Sequence, residues 1–180
     1  MNFNRALALT VLGILLVSGP WMIVPVLAQT PASTQPTRPP DTDSATSRAK
    51  RWIASSRTAE SITGNVEMAS DKISFAHKSF KIHLAQELSN ANLEDAGKIV
   101  NETHTPSSAS LYKILIPRSA ILLNGNNICG PKDATWMLAV YGRKYLALAF
   151  FSGETEPNLD YKLVSVSSSL CGTYGFTPAD

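Results

Sequence analysis

Two cysteines, three histidines and one close pair of glutamates carry most of the reactive chemistry that this chain offers. Cys129 and Cys171 each precede a glycine. They lie in Leu122-Leu123-Asn124-Gly125-Asn126-Asn127-Ile128-Cys129-Gly130 and in Cys171-Gly172-Thr173-Tyr174-Gly175-Phe176. A nucleophilic or metal-binding cysteine is a thiolate with basic or ligating neighbours. Neither cysteine has a C-x-x-C partner or a histidine within four residues. In an exported chain an even pair reads as a disulfide. Closing a loop of about 43 residues stabilises by roughly 4 kcal/mol in the chain-entropy model, less if strained.

The other reactive groups do not form a set. A zinc site needs ligands on one face at short spacing. His77 falls at a turn, His83 on the outer side of a strand and His104 in a loop, which reads as surface histidines; a cross-strand pair of His77 and His83 is geometrically open. Glu154 and Glu156 sit beside one turn, whereas glycosidase carboxylates flank the bond from positions about 5 to 9 Å apart. No G-x-S-x-G elbow or S-x-x-K set is present, and Gly125 and Gly130 lack the spacing and following helix of a phosphate loop. No catalytic residue, metal ligand or cofactor site is expected. Asn124, Gly125, Asn126 and Tyr174 then have two readings. One is turn geometry with a packed aromatic. The other is a recognition loop held rigid by the bridge, in which Asn124, Asn126 and Tyr174 bind a protein or saccharide: asparagine amides both donate and accept, and tyrosine gives a large contact area with few torsions. Asn101-Glu102-Thr103 matches a glycosylation sequon.

These residues must be positioned by strands. Ser61 to Met68 alternates, with Ile62, Gly64, Val66 and Met68 on one face. Ile73 and Phe75 continue the alternation after a turn at Ala69 to Lys72. A second turn at His77 to Ser79 leads to Phe80, Ile82 and Leu84 facing inward, with Lys81 and His83 outward. That is a three-strand meander. Between Gln86 and Ser110 runs a long excursion, in which Asn90 to Val100 suits a short helix capped by Asn90 or Asn92 and weakened by Gly97. Leu111 to Ile116 is a strand ending at Pro117. Asn124-Gly125-Asn126 is a turn, because Asn and Gly accept positive φ. Ala134 to Tyr141 and Tyr145 to Phe151 flank Gly142-Arg143-Lys144 as a hairpin. Both of its faces are apolar, so it should be covered on both sides, with Ala139, Ala147 and Ala149 giving close approach on one face. Lys162 to Val166 and Gly172 to Phe176 read as the last strands. Arg51-Trp52-Ile53 suits either a first strand or a short helix. The count predicts an all-β fold, a small antiparallel barrel or sandwich of about eight strands with one short helix and one disulfide.

Before the domain come two accessory segments. Met1 to Arg5 is short and basic, Ala6 to Val17 is apolar, and Val26-Leu27-Ala28 places small residues for cleavage before Gln29. This predicts a signal peptide over 1–28, with an uncleaved anchor as the rival reading; Pro20 and Pro25 oppose a spanning helix. Residues 29–47 are rich in Pro, Ser and Thr and nearly devoid of apolar side chains, which predicts a disordered linker. Residues 48–180 form the β domain. The expected location is the periplasm or the exterior, with membrane contact only through an uncleaved N-terminal segment.

Of 180 residues, 16 are Lys or Arg and 14 are Asp or Glu, giving +2. Mixed signs at that level do not suggest a nucleic-acid binder, which needs a concentrated basic face, and no nucleic-acid partner is expected. A local excess runs from Arg48 to Lys81, with seven basic residues against Glu60, Glu67 and Asp71. It reads as a solvated surface or as contact with an anionic lipid or polymer.

Ile62-Thr63-Gly64-Asn65-Val66, the Phe75 hairpin, Leu122 to Asn126 with Cys129-Gly130, and Cys171-Gly172-Thr173-Tyr174 resemble small exported β-proteins of Gram-negative bacteria that have no assigned activity. The resemblance covers roughly residues 60 to 176 and implies a periplasmic β-protein. In size and disulfide use the chain is also similar to small periplasmic barrel inhibitors of lysozyme, although it lacks their Ser-Gly-x-x-Tyr loop. The expectation is therefore a non-enzymatic, inhibitor-like or envelope-associated protein that engages a protein or cell-wall polymer. The alternative is a lipocalin-like carrier of a small apolar ligand, its cavity lined by residues such as Phe75, Leu138 and Phe150. A hydrolase is a third reading.

Overall fold

The computed structural model describes residues 48–180; the expected signal peptide and linker lie outside the described residues. Eight antiparallel strands close into a barrel in sequence order. They are β1 (Lys50–Ala54), β2 (Val66–Met68), β3 (Lys72–Phe75), β4 (Lys78–Glu87), β5 (Ser108–Ile116), β6 (Ala134–Tyr141), β7 (Leu146–Phe151) and β8 (Leu170–Pro178). β8 returns to pair with β1, Ile53 opposite Thr177, so the sheet has no free edge. Of the two architectures left open by the sequence, the barrel is the one formed. Arg51-Trp52-Ile53 is a strand.

Strand period 2 sorts the side chains. Val66, Ile73, Phe75, Ile82, Ile114, Met137, Leu148, Phe150, Tyr174 and Phe176 fill the interior. Phe150 meets Phe75 edge-on at 6.2 Å and Tyr174 edge-on at 5.4 Å, an arrangement that suits the ring quadrupoles. The outer side of β6 and β7 is also apolar, as expected. Its cover is α1 (Asn90–Ile99) and α2 (Tyr161–Val164). Leu93, Ala96, Ile99, Val100 and Val164 pack there on Leu111, Trp136, Leu138, Val140, Ala147, Ala149 and Phe151. The outer side of β1 to β4 and the second half of β5 is left open.

The structure corrects several sequence expectations. Ser61 to Thr63 is not strand but part of a π-helical turn, Ala59–Thr63; Gly64 at φ 64° ends it, and β2 starts only at Val66. A Cβ at Gly64 would sit 2.9 Å from Leu123 Cδ1, so this glycine admits the neighbouring loop as well. The expected strand from Lys162 to Val166 instead runs through the end of the short helix α2, because the Asp160 carboxylate accepts from Lys162 N and caps it. The N-cap of α1 is Ser89, not Asn90 or Asn92. Gly97, unfavourable for helix by up to about 1 kcal/mol, lies against the Pro106 ring, where a Cβ would come within 3.2 Å. Leu84 has the inward register but stands 52% exposed where the β4–β5 ladder reaches a bulge. Ala139 points inward opposite Leu148, whereas Ala147 and Ala149 point outward beneath α1. Leu138 also points outward, away from Phe75 and Phe150. The β3–β4 turn is Ala76-His77, both at positive φ.

Burial pushes the Tyr174 hydroxyl up to about 12. Burial, then the neighbouring Tyr112 hydroxyl, also raises that of Tyr141. Both phenols stay neutral in the folded state at a pH where the unfolded chain ionises, near 10. Above that pH the unfolded state binds fewer protons, so stability is full below pH 10 and falls as pH rises. Tyr174 alone accounts for about 2–3 kcal/mol of loss between pH 10 and 12. Urea midpoints measured across that range should fall steeply in the wild type and less in Tyr174→Phe. Equal slopes would show that Tyr174 ionises alike in both states.

Candidate functional site

The two ends of the barrel differ. One is plugged. The π-helical turn after β1, a 3-10 turn at Leu123–Gly125 and the loop through Ile128 cover it, with Ala59, Leu122 and Ile128 joining the interior cluster. Asn124 lies at φ 55°, as its turn reading requires. The side-chain amides of Asn124 and Asn126 both donate to the Ser61 carbonyl, at 3.0 and 3.1 Å, and so clasp one plug segment to the other. Cys129 and Cys171 form the expected disulfide, with Cα atoms 4.8 Å apart, which ties the plug to the start of β8. Such a bond is consistent with an oxidising compartment.

Tyr174 is not at this surface. It is 2% exposed and packs on Phe150 inside the barrel. The structure therefore brings Asn124 and Asn126 together but separates Tyr174 from them, and both amides are engaged on protein backbone. A joint recognition surface of the three is not assembled.

The other candidate groups are dispersed. His77, His83 and His104 are exposed on separate segments, and His83 stands opposite Lys113 rather than beside His77. Glu154 and Glu156 are exposed in the loop after β7. Among the described residues no three His, Cys, Asp or Glu side chains gather as a metal site. A groove of about 540 Å3 near the plug contains Arg51, Glu67, Ser74 and His77, but Arg51 and Glu67 are paired with each other at 2.8 Å.

The opposite end is open, and sequence reasoning passed over it. Here β1, β2, β5 and β6 place Trp52, Met68, Tyr112 and Tyr141 around a mouth of about 240 Å3, with the exposed Arg48, Lys50 and Ser70 beside it. Trp52 and Tyr141 rings are 6.2 Å apart, and Tyr141 Oη donates to Met68 Sδ at 3.2 Å. The Lys50 ammonium lies 4.1 Å from the centroid of the Trp52 ring, a cation–π contact. Tyr112 is half-buried and presents the accessible part of the wall. An apolar concavity with a few cations at its edge is equipped to take an apolar or aromatic group and to exclude water from it. The mouths of β-barrels are a recurrent place for such sites. The signal available in the sequence was the inward register of these four residues at strand ends, which becomes visible only once the barrel closes.

The chain matches no protein-family model, no curated protein and no solved structure. Among the described residues no helix is long and apolar enough to cross a membrane.

Proposed function

We propose that this is an exported, non-enzymatic binding protein of the cell envelope that takes a protruding apolar or aromatic group of a protein partner into the mouth of its barrel. The observation that carries this reading is the contrast between the ends: one is stapled and filled, and the other has a concavity walled by the half-buried Tyr112 and Tyr141, with the buried Trp52 and Met68 behind them. The N-terminal signal pattern and the disulfide support a periplasmic location. An inhibitor-like role suits a rigid scaffold with a pre-formed recess, since little order has to be gained on binding. The carrier reading has less support, because Phe75, Phe150 and Tyr174 occupy the space that an internal ligand needs.

A photo-crosslinking residue placed at Ser70, beside the mouth, should yield a partner adduct in intact cells, and one at Thr155, in the loop after β7 at the plugged end, should not. Tyr112→Ala should lower the Ser70 yield about fivefold or more, as truncation of an aromatic anchor does. Equal adducts from both positions, or a yield indifferent to Tyr112, would remove the mouth from the function.

A further inference from the structure

On the open outer side of the barrel, basic side chains face one another instead of carboxylates. Lys72 on β3 stands directly opposite Lys81 on β4, and His83 on β4 stands directly opposite Lys113 on β5. All four side chains are exposed. Like charges directly opposite in a sheet destabilise it, and a local rule broken without compensation is expected at functional positions. Among the described residues none of Lys72, Lys81 and Lys113 has a carboxylate within 4.0 Å. Elsewhere the same domain does pair its cations, Arg51 with Glu67 at 2.8 Å and Lys98 with Glu94 at 2.7 Å. The Lys113 ammonium lies instead over the Trp136 ring, 5.2 Å from its centroid, so its position is held by an aromatic and its charge remains available.

Lys81, His83 and Lys113 flank a groove of about 670 Å3 that also holds Leu115, 63% exposed, with Thr135 and Glu154. Neighbouring strands set the cations about 5 Å apart across the sheet, and alternate residues set Lys81 and His83 about 7 Å apart along β4. The result is a diagonal track over three strands. We infer that this track binds a linear polyanion, a polymer chain with charged groups repeated along it. A chain fits a groove, follows a diagonal and can avoid Glu154. A flat anionic bilayer cannot follow the curved wall and would also meet that carboxylate. The site is distinct from the mouth, so its failure leaves the mouth reading intact and the reverse also holds.

The test is calorimetric titration of the oxidised protein with inorganic polyphosphate over a salt series. Lys72, Lys81 and Lys113 engaged on a single chain give a log–log salt slope of about −2. Lys81→Gln with Lys113→Gln should weaken binding about tenfold and bring the slope to about −0.7. Glu154→Gln should tighten binding about two- to threefold. Arg143→Gln with Lys144→Gln, at the β6–β7 turn, should leave affinity within about twofold and serves as the charge-matched control. The Lys81 and Lys113 variant should melt close to the wild type, since relief of the Lys72–Lys81 opposition offsets loss of the exposed Lys113–Trp136 contact. The inference is overturned if that variant binds like the wild type, or if the control loses as much. It is also overturned if the protein ignores polyphosphate and instead sediments with phosphatidylglycerol vesicles.

Discussion

Replacing both Cys129 and Cys171 with alanine is expected to lower the unfolding free energy by about 3–4 kcal/mol and the melting temperature by roughly 10–15 °C. The bridge spans a sequence separation of 42 and joins two segments that the hydrogen-bonded ladder does not link directly. Without it the plug is held by the two asparagine amides on Ser61, by Asn127, whose amide donates to the Arg118 and Gly130 carbonyls, and by the packing of Leu122 and Ile128. Those contacts preserve the native fold at room temperature but do not restrict the unfolded chain, which is where a disulfide acts. Thermal melts of the oxidised protein and the double variant decide the matter. A difference under about 1 kcal/mol would mean that the unfolded chain is already compact around this region.

Phe150→Ala is expected to cost about 3–5 kcal/mol, the second large effect. Phe150 has no exposed surface and lies between Phe75 and Tyr174, with an edge-to-face contact to each. Removing the ring takes away its transfer energy and leaves a void in the centre of a closed barrel, whose strands are hydrogen-bonded all round and collapse poorly. Both ring–ring contacts also disappear, at about 0.5–1.5 kcal/mol each beyond the area lost. Leu115→Ala on the outer side is the comparison, and there the change should stay within about 0.5 kcal/mol. Guanidinium titrations of the two variants would separate them at once. If Phe150→Ala were as mild as Leu115→Ala, the interior would have to be loose enough to hold a guest, and the carrier reading would return.

Much of this architecture was legible in advance because it rests on local signals. The β6–β7 hairpin follows from two apolar runs flanking Gly142, and the disulfide follows from two cysteines without ligating neighbours. The failures have local causes too. Ser61 to Thr63 alternates well enough to pass for strand, but Gly64 at positive φ breaks the extension, and the loop around Leu123 needs the space. Leu163, Val164 and Val166 look like a strand fragment, yet Asp160 nucleates a helical turn and leaves Leu163 and Val166 largely exposed. The mouth and the basic track were harder. Trp52, Met68, Tyr112 and Tyr141 come from four strands and share nothing in sequence. The opposition of Lys72 and Lys81 depends on the β3–β4 turn being Ala76-His77 rather than His77 to Ser79, because one residue of slip changes every partner. The excess of positive charge was visible as composition; its alignment was not. Tyr174 was singled out by its neighbours Cys171 and Gly172, but its inward register assigns it to packing.

The return of β8 to β1 also sets the order of folding as the chain emerges N-terminus first. Every other pairing joins consecutive strands, so seven strands can zip up one after another as antiparallel neighbours while the chain is still emerging. The wall cannot shut until β8 is made, and until then β1 and β7 each present an unfilled edge. Cys171 lies on that same late strand, so Cys129 has no partner until that strand arrives. Oxidation and closure thus arrive together, and a chain arrested before β8 is the form most exposed to wrong partners.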